Sequence, residues 1–230
     1  MTPYDATRDR VEDYFDRTAT RVWERLTSDA PVSGIRATVR AGRDRMRDLM
    51  LAQLPDDLRG CRVLDAGCGT GAAAVEMAAR GAEVVAVDLS PKLVGIAQAR
   101  CPEELHGQID FRAGDMLNRD LGVFDHVVAM DSLIYYSAQD IAAILGRLTP
   151  RVDGRIVLTL PPRTPLLMAM YRAGKLFPRG DRSPRMVPQS ARGLQKALAA
   201  AGVAGRLREV ETVRSGFYIS SCLTFEGGRA

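Results

Sequence analysis

The chain has 230 residues, 46% hydrophobic and 26% charged, with a net charge of +4, which fits one soluble domain with a sizeable buried core. No stretch approaches the roughly 20 apolar residues of a membrane span, and the opening segment is charged where a signal peptide would be apolar, so the sequence reads as cytoplasmic. Mild basicity does not by itself imply nucleic acid, and Cys61, Cys68, Cys101 and Cys222 are too scattered for a zinc site or a disulfide framework.

Residues 1–58 read as an N-terminal helical cap. Val11, Tyr14, Phe15, Val22, Trp23 and Leu26 recur at helical spacing, 29–34 is a break, and a second helix runs over about 35–53 before Pro55 and Gly60 end it. On that second helix Arg36, Arg40, Arg43 and Arg47 fall on one face. The face is either solvated and partly neutralised by Asp44 and Asp48, or a stripe for anions. Lys92, Lys175 and Lys196 are the only lysines, so the positive charge is nearly all arginine, whose planar fork can grip a carboxylate through paired bonds.

Residues 59–230 read as an α/β domain. Strands are predicted at 62–66, 83–88, 109–114, 124–130 and 155–160, with helices at 72–80, 91–100 and about 138–149 between them. Nearly continuous Val, Leu, Ile and Ala in the strands predicts a mostly parallel sheet covered on both faces. A lid-like insertion at 161–189 carries an apolar helix at about 164–176, equally readable as an ordinary core helix. After a helix over 190–201, strands at 207–213 and 217–225 flank Arg214-Ser-Gly216 and predict an antiparallel hairpin.

Val63-Leu-Asp-Ala-Gly-Cys-Gly-Thr-Gly71 is the most informative segment. A buried strand runs into Gly67, Gly69 and Gly71, which let the backbone turn and approach a ligand closely. Asp88 closes the next strand, where a carboxylate can accept ribose hydroxyls. The run is G-x-G-x-G with Asp65 before it; an acid there suits the cationic amino and sulfonium groups of S-adenosylmethionine (SAM) better than a pyrophosphate. Asp115, followed by Met116, supplies a third strand-end carboxylate that can accept from an adenine amino group.

On these residues the chain resembles the class I methyltransferases. The resemblance implies a Rossmann-like, mostly parallel seven-stranded sheet ending in an antiparallel hairpin. It also implies that Asp65 and the Gly67, Cys68, Gly69, Gly71 loop hold the methionine end, Asp88 the ribose, and Asp115 with Met116 the adenine. Leu89 packs on the adenine ring, and Asp131 joins the cofactor set.

Further segments are similar to the magnesium-protoporphyrin IX O-methyltransferases: Asp13-Tyr-Phe15 with Trp23-Glu-Arg25, Val39-Arg40-x-Gly42-Arg43, Met130-Asp131-Ser-Leu-Ile134-x-Tyr136, 177–184, and 214–221. The similarity spans nearly the whole chain. It implies methyl transfer from SAM to a propionate carboxylate, with no protein-bound metal, since the magnesium belongs to the porphyrin. Arg40, Arg43, Tyr136, Arg163 and Tyr218 would bind the acceptor, and Tyr14 and Tyr135 would position it. Tyr135 stands where other members commonly carry His, which leaves its hydroxyl an orienting role. The resemblance also suggests a magnesium-chelatase porphyrin-binding subunit as partner and a peripheral contact with the photosynthetic membrane.

Chemistry agrees with this acceptor, because a carboxylate with a pKa of about 4 to 5 is already a nucleophile at neutral pH. His106 and His126 read as structural. The nearest rival acceptor is a quinone-ring phenol, which would benefit from a positioned base; a carrier that uses SAM only structurally and an RNA methyltransferase are the more distant alternatives.

Overall fold

The computed structural model describes residues 3–16, 34–175 and 184–228. The N-terminal part supplies α1 (Pro3–Tyr14) and α2 (Gly34–Leu51). There follow β1 (Arg62–Ala66), α3 (Ala72–Ala79), β2 (Glu83–Asp88), α4 (Pro91–Arg100), β3 (Ile109–Ala113), β4 (His126–Ala129), α5 (Ala138–Leu148) and β5 (Arg155–Leu160). The chain closes with α6 (Pro165–Lys175), α7 (Ala191–Ala200), β6 (Gly205–Ser215) and β7 (Tyr218–Gly227). Val22, Trp23, Leu26 and the stretch 177–183 lie outside the described residues.

The seven strands form one sheet in the order β3-β2-β1-β4-β5-β7-β6. Strands β1 to β5 pair in parallel, while β7 runs antiparallel to both β5 and β6. The expected Rossmann-like sheet with its C-terminal hairpin is therefore present, with Gly216 at φ 57° in the turn. In β2, Val84 and Ala86 join one apolar cluster and Val85 and Val87 the other. This alternation gives the sheet two dry faces.

Met46, Met50 and Leu51 of α2 pack with Ala74 and Met77 of α3 on one face. On the other, Tyr4 and Val11 of α1 join Ile141 and Leu145 of α5 and Leu194 and Leu198 of α7. Local signals start the helices: Ser90 accepts from the Leu93 N–H ahead of Pro91, Ser137 and Asp140 form a capping box, and Ser190 accepts from Gly193.

Four strands, β3, β4, β6 and β7, depart from their expected bounds, β4 and β6 for a visible reason. Strand β4 is shorter than 124–130: Phe124 makes only an isolated bridge to Val152, and at the other end Asp131 turns the chain with φ 54°. Strand β6 begins at Gly205, ahead of Leu207, because its pairing with β7 continues past a register irregularity at Glu209/Glu211. No described helix is long and apolar enough to cross a membrane.

Candidate active site

A cavity of about 340 Å³ opens at the carboxyl ends of β1, β2 and β4, within the range typical of small-molecule sites. Its floor is the loop after β1. The Gly67 and Cys68 N–H groups donate to the Val87 carbonyl at 2.8 and 3.0 Å, stitching the loop to β2. Gly67, Gly69 and Gly71 all have positive φ, yet they face different surroundings. A Cβ on Gly67 would sit 2.3 Å from Ser132 Cβ, and one on Gly71 3.0 Å from Ala97 Cβ, whereas one on Gly69 would meet nothing within 4 Å. Gly67 and Gly71 are thus packing glycines, and Gly69 is the one that borders open space.

Asp65 projects from β1 with 1% exposure, and its Oδ2 is buried with no hydrogen-bond partner. Burial, with the nearby Asp88 charge adding to it, pushes its carboxyl up to about 7. Asp88 is shifted upward as well by burial. Its Oδ2 accepts from Gly69 N and its Oδ1 from Ser90 N, both at 2.9 Å. Each of those oxygens retains a second lone pair for a ligand hydroxyl. Leu89, Gly114 and Met116 line the neighbouring wall. Burial raises the Cys68 thiol well above its ordinary value, which keeps it neutral.

Asp115 is placed differently from expectation. It is not among the lining residues; its Oδ1 accepts from the Tyr4 hydroxyl at 2.7 Å and from Leu117 N at 2.8 Å, and Arg8 lies 3.4 Å from Oδ2. Its carboxylate is engaged with α1.

The opposite wall comes from the two N-terminal helical segments and the segment after β4. Arg40, Arg43 and Arg47 of α2 line the cavity, while Arg36 is exposed at the start of the helix. Arg47 is held by Glu76 and Asp44. Arg43 Nη1 donates to Asp131 Oδ2 at 2.5 Å. Tyr135 and Tyr136 line the cavity and are 9% and 2% exposed. Tyr136 stacks on Tyr4 with centroids 5.4 Å apart, and Phe15 meets Tyr135 edge-on at 6.4 Å.

Three residues expected at the acceptor are placed away from the cavity wall. Tyr14 does not line the cavity; it packs edge-on against Phe15, which does. Arg163 is exposed on the surface outside it, its backbone N–H bound to the Gln189 carbonyl. Tyr218 reaches the site only through Asp131, to which its hydroxyl donates at 3.2 Å. Phe15, Thr70 and Ser132 line the cavity although the sequence assigns none of them a site role. Ser132 Oγ is buried with no partner; its place beside Asp131 at a strand end was the available signal.

The donor set fits SAM. A buried carboxyl with one unpaired oxygen suits a cation, a side-chain-free cradle borders Gly69, and the Asp88 carboxylate stands at the next strand end.

The comparisons with known proteins agree with this geometry. A family model described as "Methyltransferase domain" matches residues 63–151, and one described as "Magnesium-protoporphyrin IX methyltransferase C-terminus" matches residues 129–226. The magnesium-protoporphyrin O-methyltransferase of Rhodobacter capsulatus is 55% identical over 96% of this chain and 97% of its own length. The chain belongs to the magnesium-protoporphyrin IX methyltransferase family. A crystal structure of the family's enzyme from Synechocystis PCC 6803, with bound SAH, superposes with a TM-score of 0.80 at 30% identity, covering 95% of this chain and 98% of that one. By contrast, a ubiquinone biosynthesis O-methyltransferase of Xanthomonas oryzae pv. oryzae is 37% identical over only 54% of this chain and 55% of its own. Similarity to the magnesium-protoporphyrin family thus extends over nearly the whole chain, beyond the part shared with the ubiquinone enzyme.

Proposed function

We propose that this chain transfers a methyl group from SAM to a propionate carboxylate of magnesium-protoporphyrin IX, giving the monomethyl ester in (bacterio)chlorophyll biosynthesis. The observation that carries the reading is one cavity with the unpaired Oδ2 of buried Asp65 on its floor and the Arg40–Arg43 face of α2 on its wall. When bound, SAM supplies a methyl group made electrophilic by its sulfonium. Asp65 Oδ2 and Ser132 Oγ would meet its charged amino-acid end, Asp88 the ribose, and Leu89 with Met116 the adenine ring. Asp115 would serve that end indirectly, by anchoring α1 beside it.

On the acceptor side the chain's task is alignment and exclusion of water, because the propionate is already ionised. Arg40 and Arg43 would draw the carboxylate in, and Tyr135 and Tyr136 would flank the macrocycle. Tyr14 would act through Phe15, and Tyr218 through Asp131. A phenol acceptor would benefit from a base, and neither histidine lines the cavity: His126 Nδ1 accepts from Arg155 N and His106 bonds to the Cys101 carbonyl. The cap reading of residues 1–58 rests on Val11, Phe15 and the α2 arginines lining the cavity. Receipt of the porphyrin from a chelatase subunit and a peripheral membrane contact would fall to the basic stretch around Arg163 and Arg172, both exposed.

The test is incubation with SAM and a panel of metalloporphyrins, followed by mass detection of the ester. A single added methyl on magnesium-protoporphyrin supports the reading; methylation only of a quinol-type phenol would replace it.

A further inference from the structure

Asp131 is the one described residue other than glycine with positive φ, at 54°. Such a backbone persists where the surroundings over-determine it, and it clusters at functional sites. Four interactions fix it here. Its N–H donates to Thr159 Oγ1 at 2.7 Å, and that hydroxyl donates back to Asp131 Oδ1 at 3.0 Å. Arg43 from α2 binds Oδ2 at 2.5 Å, and the Tyr218 hydroxyl from β7 reaches Oδ1 at 3.2 Å. Burial and the Asp131 charge raise the Tyr218 phenol, so it stays protonated and donates. A carboxylate offers about four acceptor positions, and these neighbours occupy most of them. Asp131 is therefore poorly placed to bind a cofactor and well placed to act through its partners.

We propose that Asp131 is a positioning residue for the acceptor: it holds the Arg43 guanidinium at the angle at which that arginine receives the porphyrin's carboxylate. This rests on the function proposed above. The assembly draws on α2, the β4 exit, β5 and β7, so it ties the cap to the sheet at the cavity wall. An arginine on a long stem would otherwise sample many rotamers, and fixing its plane in advance lowers what carboxylate binding must order.

The experiment uses the full chain with SAM and magnesium-protoporphyrin. Asp131→Asn is the variant of choice, because Asn tolerates the left-handed region while its amide cannot hold Arg43 as the carboxylate does. The porphyrin KM should rise about tenfold with kcat falling less than about threefold, the pattern of lost uniform binding. SAM affinity by calorimetry should stay within about twofold, and Arg43→Met with Asp131→Asn should be no worse than Arg43→Met alone. Tyr218→Phe, which removes only a neutral donor, should shift KM in the same direction by less, and it serves as the gentler arm if Asp131→Asn melts early. A parallel rise in SAM Kd, or additive effects in the double variant, would overturn the proposal and return Asp131 to the cofactor. A wild-type chain that binds SAM yet leaves magnesium-protoporphyrin unmethylated would instead overturn the acceptor reading.

Discussion

The Tyr4 hydroxyl donates to Asp115 Oδ1 at 2.7 Å, joining α1 to the strand end beside the cavity. Burial and the Asp115 partnership push the phenol well above its usual range, so Tyr4 is a donor at any working pH. Tyr4→Phe would keep the ring stack on Tyr136 and remove only this charge-assisted bond, loosening α1 by about 1.5 kcal/mol. Hydrogen exchange of the α1 amides should then accelerate about tenfold while the sheet amides hold their protection. Unchanged α1 exchange would show that the stack alone docks the helix.

Asp65 makes SAM binding depend on pH. Its carboxyl lies near 7 in the folded chain against about 4 when unfolded, so the fold binds that proton more tightly. The stability this group contributes falls as pH rises from about 4 to 7 and is level above. Asp65→Asn should therefore raise the ligand-free melting temperature at pH 8 and leave it nearly unchanged at pH 5. A cationic ligand needs the ionised form, so wild-type SAM affinity should drop several-fold between about pH 7.5 and 6, and the Asn variant should bind weakly without that dependence. At saturating SAM the methyl-transfer rate should stay flat. A wild-type SAM affinity that does not change over this range would remove Asp65 from the cation site.

Gly67 and Gly69 should separate folding from binding. Gly67→Ala places a Cβ 2.3 Å from Ser132 Cβ at φ +87°, a clash plus backbone strain of about 3 kcal/mol together. Gly69→Ala meets no atom within 4 Å at φ +55° and should lose only about 1 kcal/mol of stability, yet weaken SAM more than tenfold. Thermal unfolding with and without SAM reads both quantities. Equal SAM affinity in Gly69→Ala would mean that the open space beside it is not the cofactor's.

Ser132 Oγ is a buried hydroxyl without a partner. Removing an unsatisfied group is neutral or stabilising, whereas removing a ligand contact weakens binding by about 1 kcal/mol. Ser132→Ala should accordingly hold or raise the ligand-free melting temperature while SAM affinity falls about fivefold. A drop in stability with unaltered affinity would assign the hydroxyl to packing.

The sheet was legible because each strand carries its own signal. Arg62–Ala66, Glu83–Asp88 and Arg155–Leu160 have the boundaries read from their apolar runs, and the glycine loop announces its ligand through local sequence. What was not legible depends on contacts between distant segments. Arg43, Asp131 and Tyr218 were each picked out, but nothing in their spacing says that they meet in one assembly. Asp115 was read from its strand end as an adenine ligand, and only the packing of α1 shows Tyr4 and Arg8 on it. Arg163 follows a strand end too, yet no periodicity tells an inward side chain from an exposed one there.

Strand β7 lies between β5 and β6 although it follows both in the chain. During synthesis β5 therefore presents an unpaired edge until residues 218–227 have cleared the ribosome, and such edges are where partly made chains aggregate. Tyr218 sits at the start of that same strand. The wall that orients Arg43 is thus assembled in the step that closes the sheet, so a nascent chain has its glycine loop long before it has a complete acceptor site.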